Sequence, residues 1–209
     1  MLNRKFTTFI SRTNHSLTVV ANNTNHMKKS RIILTAFIIF VLPQIVLSQN
    51  NTFIPVDFVV PDTLENEHFR IRMLSVNDVV KDYDAVMTSI EHLNKMHPTS
   101  NWPTKDLTFE QDLIDLGWHQ KEFQMRSSFA YTVVSLDENQ VLGCLYINPT
   151  KKGDFNARIT MWVRASEIDK GLDPILFDSV KKWISEDWPF EKVAYLGRQI
   201  SLEQWKGMK

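Results

Sequence analysis

Polar and apolar residues alternate most strictly where Phe69, Ile71 and Met73 flank Arg70 and Arg72, the period-two pattern of a strand with one buried face. A first strand is predicted over 69–74, and Ser75 with Asp78 three residues on forms a helix-start signal directly after it. From Asp82 to Met96 the period lengthens. Tyr83, Val86, Met87, Ile90 and Leu93 recur at helical spacing while Lys81, Asp84, Glu91 and Lys95 face away, which predicts one amphipathic helix. Pro98 and the pair Trp102-Pro103 close it. Thr108 with Gln111 makes a capping box for a further helix, whose predicted apolar side carries Phe109, Leu113, Leu116 and Phe123 and whose middle is weakened by Gly117.

Two strands follow, Phe129–Ser135 and Val141–Ile147, joined by the turn Leu136–Asn139, and Asn148-Pro149 is read as the end of that ladder. Ala157–Val163 alternates less cleanly, as a strand buried on both faces should. Asp173-Pro174 reads as an N-cap acid with proline at the first helical position. The helix it opens buries Leu176, Val180, Trp183 and Ile184 and ends at Pro189, before a short strand over Lys192–Leu196. The order β-α-α-β-β-β-α-β predicts an α/β (α+β) fold, organised around the strand–strand–loop–helix unit from Val141 to Trp188. Residues 49–66, with two prolines, read as an extended arm leading into a domain over 67–209.

Charge divides the chain. Residues 1–48 hold six of the 24 Lys and Arg and none of the 24 Asp and Glu, leaving 18 against 24 in the remainder, an acidic body without the basic stripe that nucleic acid requires. Met27–Arg31 is basic and Ile32–Ser48 mostly apolar, the order of a signal peptide over 27–48 cut after Ser48. The alternative is a membrane anchor, since seventeen residues approach the ~20 that span a bilayer. Either reading places the domain outside the cytoplasm, periplasmic, secreted or tethered, with membrane contact only through that segment if it stays uncut. Residues 1–26 fit neither plan and read as a leader or a misassigned start, translation beginning at Met27.

Few side chains announce chemistry. Cys144 is the one cysteine, so no disulfide framework exists, and it reads as a small buried strand residue. His68, His92, His97 and His119 lack metal-ligand spacing and read as surface residues, so no metal site is expected. Asp112 and Asp115, near Glu110 and Glu122, read as a solvated helix face. Trp102, in a proline loop, is a candidate to line an open pocket.

The order of elements, Val-Leu-Gly-Cys-Leu-Tyr-Ile at 141–147, Met-Trp-Val at 161–163 and a glycine loop entering the main helix together resemble the GNAT N-acetyltransferases over about Phe69–Arg198. Phe129-Ala-Tyr131 and Trp188-Pro-Phe190 resemble more particularly a bacterial group of undefined substrate. The resemblance implies a mixed, mostly antiparallel sheet of about five to six strands flanked by three to four helices. It also implies acetyl-CoA as co-substrate, with pantetheine along the backbone of Met161, Trp162 and Val163 and the phosphates at Lys170, Gly171 and Leu172, within the loop 168–173.

The family's loop runs Gln or Arg, two residues, Gly, one residue, Gly or Ala, whereas this chain has Ile168, Asp169, Lys170, Gly171, Leu172 and Asp173. Asp173, as an N-cap, would occupy the N–H groups a phosphate needs. The strand Ala157–Val163 carries no acid to serve as base, Tyr146 and Tyr195 are the tyrosines able to serve as acid, and the family's last helix and hairpin are expected to be short or missing. Two readings follow: an acyltransferase moving an acetyl group from acetyl-CoA to an amine of a small molecule or peptide, and a GNAT-like binding module of the cell envelope that does no transfer.

Overall fold

A computed structural model describes residues 52–96, 100 and 102–209. The leader, the signal or anchor segment and His97 lie outside the described residues.

Six strands form one sheet in sequential order: β1 Thr63–Glu65, β2 Arg70–Met73, β3 Phe129–Val134, β4 Val141–Pro149, β5 Ala157–Val163 and β6 Val193–Tyr195. All neighbours are antiparallel except β5 and β6, which are parallel and joined through a long helix. The helices are α1 Val79–Met87, α2 Ile90–Met96, α3 Phe109–Gln124, α4 Leu172–Asp187 and α5 Leu202–Gly207. The mixed, mostly antiparallel sheet of the expected size is therefore present, with five helices among the described residues rather than three to four.

Alternation along each strand sends successive side chains to opposite faces. Leu145, Ile147, Ile159, Met161 and Val163 pack with Leu172, Leu176, Val180, Trp183 and Ile184 of α4. On the other face Val141, Cys144 and Trp162 pack with Val79, Ala85 and Val86 of α1, Leu93 of α2 and Leu116 of α3. The arm joins the α4 side. Ile54 is 2% exposed, Phe53 stacks on Phe129 and Phe190, Tyr131 Oη donates to the Pro61 carbonyl at 2.7 Å, and Arg126 Nη2 donates to the carbonyls of Pro55 and Phe58.

Both capping boxes form, at Ser75 with Asp78 and at Thr108 with Gln111. Four sequence expectations need correction. The single helix over 82–96 is broken at Thr88 and Ser89, because the Thr88 hydroxyl donates to the Asp84 carbonyl at 2.6 Å and Ser89 Oγ accepts from the Ala165 N–H. β4 runs through Pro149, which pairs with Ala157 in the last rung. α4 starts at Leu172 with Gly171 as N-cap at φ 76°, so Asp173 is inside the helix and caps nothing. On α3, Phe109 and Leu113 are more than a third exposed while Asp112 is buried, so the inward stripe is Asp112, Leu116 and Phe123.

Gly143 has a specific steric reason. A Cβ there would lie 2.0 Å from the Trp162 carbonyl oxygen, so no other residue permits this approach of β4 to β5.

Candidate functional site

β6 leaves β5 early. Their pairing covers only Ala157, Arg158 and Ile159, and the last recorded link is Leu196 N–H donating to the Ile159 carbonyl at 3.0 Å. In an antiparallel ladder successive residues turn their in-plane groups to opposite neighbours, so Met161 and Val163 direct N–H and C=O to the same side as Ile159, beyond the end of β6. Trp162 and Arg164 face β4, where the Arg164 N–H donates to the Leu142 carbonyl. The implied pantetheine segment thus presents a backbone edge that β6 leaves uncovered at Met161 and Val163, with His92 beside the Val163 carbonyl, while Trp162 contributes its side chain to the opposite layer.

The implied phosphate loop is built of acids and turns. Lys170 Nζ donates to Glu167 Oε1 at 2.8 Å, Gly171 supplies the left-handed cap, and Leu172 is buried against the α4 core. Beyond β6, Gly197 turns the chain at φ 73° and Arg198 reaches back to Asp173, Nη1 donating to Oδ2 at 2.7 Å and Nη2 to Oδ1. A carboxylate and its guanidinium partner therefore lie at the first turn of α4. Burial, the largest influence, holds the pKa of His92 of α2 below the usual imidazole value, with both charges, Lys95 and the Val163 carbonyl acting besides, and its Nε2 is buried without a partner among the described residues.

Across the sheet, a cavity of about 450 Å³ lies between α1, α3 and the faces of β4 and β5. Asp82, Asp112, Asp115 and His119 line it from the helices, Tyr146, Asn148, Arg158, Thr160 and Trp162 from the strands, and Trp102 from the preceding loop. Trp102 thus takes the place suggested for it. Asp82 is 3% exposed and Asp112 1% exposed, and neither has an ion-pair partner among the described residues.

Burial first, then the charge of Asp112, lifts the Asp82 carboxyl to about 7, against a hydrogen bond donated by the Cys144 thiol to Oδ1 at 3.4 Å. Burial and then Asp115 lift Asp112 to about 6, and its Oδ2 is buried without a partner among the described residues. Burial pushes the Cys144 thiol up, which keeps it a proton donor, and raises the Tyr146 hydroxyl as well. His119 is no surface histidine: its ring lies 5.0 Å from that of Tyr146, and burial lowers its pKa.

Sequence reasoning did not single out Asp82 or Arg198, and it placed Asp112 on a solvated helix face and His92 and His119 at the surface, whereas Asp112 is buried and burial shifts both imidazoles. The available signal was position: Asp82 stands three residues after Val79 and four before Val86, and Asp112 four before Leu116, both on the apolar stripe of an amphipathic helix. Tyr195, the other tyrosine considered, is buried on the α4 side, and burial pushes its hydroxyl up to about 12.

No known protein-family profile matches the chain, and no curated protein matches it in sequence. Solved structures do match. One described as a ribosomal-protein-serine acetyltransferase from Vibrio cholerae is 12% identical, covers 61% of this chain and 70% of its own, and superimposes with a TM-score of 0.50. The ribosomal-protein-S5-alanine acetyltransferase from Vibrio fischeri is 18% identical over 59% of this chain and 67% of its own, with a TM-score of 0.49. RimL, a ribosomal L7/L12 α-N-protein acetyltransferase solved with coenzyme A, is 15% identical over 59% of this chain and 68% of its own, also at 0.49. At these identities the likeness concerns architecture, and the mixed sheet with its flanking helices is the GNAT fold.

Proposed function

We propose that this chain transfers an acetyl group from acetyl-CoA to an amine. The observation that carries the reading is the position of β5: its edge at Met161 and Val163 continues past the end of β6, and the side chain of Trp162 on the same strand walls the carboxylate-lined cavity. A thioester along that edge, with the loop at Lys170, Gly171 and Leu172 beside its phosphates, would bring its carbonyl to the amine across one strand. The amine nitrogen bonds to the carbonyl carbon, the carbon–sulfur bond breaks, and coenzyme A leaves as a thiolate that takes up the proton lost by the nitrogen, passed on through Asp82. The proton lost by the nitrogen goes to Asp82, whose carboxyl, lifted to about 7, is matched to that task near neutrality.

Titration of the full chain with acetyl-CoA by calorimetry, followed by detection of free thiol when an amine is added, tests this. Binding at micromolar to millimolar donor and amine-dependent thiol release are expected; no heat at millimolar acetyl-CoA overturns it.

A second reading, an amine-binding module without transfer, is favoured by the Asp173–Arg198 pair at the first turn of α4, where the carboxylate opposes the positive field a phosphate needs and holds the neighbouring guanidinium. The basic and apolar order of residues 27–48 agrees with it, since export would remove the domain from its donor. N-terminal sequencing of the mature protein, expected to start after Ser48, tests that location.

A further inference from the structure

The cavity between α1, α3 and the β4–β5 face has a composition that selects a ligand. Its two buried acids, Asp82 and Asp112, come from different helices; the Cys144 thiol donates to Asp82, while among the described residues neither Asp112 Oδ2 nor the buried Trp162 Nε1–H on the strand wall has a partner. Buried carboxylates elsewhere in this chain are matched: Asp78 by Arg72 and Glu167 by Lys170. A buried carboxylate without a cation is costly, and one that lines a cavity is free to receive a cation from outside.

The remaining walls are Trp102, Tyr146 and Trp162, rings whose faces attract an organic cation. Among the described residues no three His, Cys, Asp or Glu side chains are placed to share a metal ion, which points away from an inorganic cation. Arg158, exposed on the same wall and without an ion pair among the described residues, would repel a second positive charge.

From these features we propose that the cavity binds a primary ammonium ion carried on an otherwise uncharged aliphatic or aromatic body, with the ammonium group between Asp82 and Asp112 and the body against Trp102, Tyr146 and Trp162. This names the acceptor class for the transfer reading and rests on that reading for its role in a reaction. Cation binding itself needs no donor.

The test is calorimetric titration of the full chain with 2-phenylethylamine, without acetyl-CoA, beside its N-acetylated, uncharged counterpart and 1,4-diaminobutane. The expected result is binding of the amine at least about tenfold tighter than of the N-acetyl compound, and tighter than of the diamine. Because a cation favours ionised carboxyls, affinity should rise at least about tenfold between pH 5.5 and pH 8, with proton release on binding. Asp82, Asp112, Asp115, His119, Tyr146 and Arg158 line the cavity, the buried Cys144 thiol lies against Asp82, and protonation of His119 at the acid end acts in the same direction. Asp82→Asn and Asp112→Asn separate these contributions. Each should weaken the amine at pH 8 by about tenfold or more and flatten the pH profile, with folding checked by thermal unfolding. Equal binding of charged and uncharged compounds, a pH-independent affinity of the unaltered protein, or tighter binding of the diamine would overturn the proposal. Amine binding with no heat from acetyl-CoA would sink the transfer reading and leave this one standing; the reverse pattern would do the opposite.

Discussion

Asp78 and Asp82 stand one helical turn apart, are 2% and 3% exposed, and have opposite fates. Burial acts to raise both. At Asp78 it is outweighed by two hydrogen bonds from Arg72, at 2.9 and 2.7 Å, by that guanidinium's charge and by the Ser75 N–H, so the carboxyl lies below its usual range. Asp82 has only a thiol, and is lifted to about 7. The same side chain is a structural pin in one place and an unmatched acid at the wall of a cavity in the other, the difference being a cation supplied from β2. Depth alone therefore does not set a carboxyl's protonation; the presence or absence of a counter-charge does.

The largest effect should come from abolishing the match. Arg72→Ala leaves Asp78 buried and alone and is expected to cost about 3 kcal/mol or more in urea unfolding, without altering amine affinity in the molecules that stay folded. A cost under about 1 kcal/mol would show that the pin is dispensable.

Next is Gly143→Ala, which forces a methyl into the Trp162 carbonyl and should cost about 1–3 kcal/mol. It would displace the strand that carries Cys144, Asp82's partner, and so should perturb the Asp82 side of the comparison more than the Asp78 side, as read by Trp fluorescence and amine titration.

Asp82→Asn has the opposite sign. The folded carboxyl holds its proton up to about 7 whereas an unfolded one releases it near 3.8, so its burden on stability is absent at low pH and grows as pH rises from about 4 to 7. The variant should melt several degrees above the unaltered protein at pH 8 and at nearly the same temperature at pH 4, and scans at both values check it. A variant less stable at pH 8 would mean that Asp82 is matched after all.

The smallest effect belongs to the other partnered acid. Asp173→Asn releases Arg198 and removes a negative charge at the N-terminal turn of α4, so acetyl-CoA affinity is expected to rise by about tenfold while stability changes by about 1 kcal/mol or less. An unchanged affinity would favour the module that does no transfer.

Much of this architecture was legible in the chain. The alternation at Phe69–Met73 marked β2, the two capping boxes marked real helix starts, and the fourth strand began, and the fifth strand lay, where the apolar runs placed them. Helix bounds were less legible where side chains compete with the backbone, as Thr88 does between α1 and α2.

The site was harder to see because hydropathy assigns every aspartate to water. Asp82 and Asp112 break that rule at positions where the helical period alone would have put them inside. Arg198 could not be paired with Asp173 from sequence, since 25 residues and a glycine turn separate them. The arm was legible as extended, but its anchoring was not, since Phe53 stacks on rings that lie 75 residues or more along the chain and Ile54 is buried in the same core.

That fixing has a practical corollary for limited digestion. Val56 and Val59 are 81% and 84% exposed, so a protease able to cut after valine would meet them first, while the stretches on either side stay held by Phe129, Phe190 and the bonds from Arg126 and Tyr131. The severed N-terminal fragment should co-elute with the remainder on gel filtration and part from it only in denaturant, behaving as a bound peptide instead of a discarded tail.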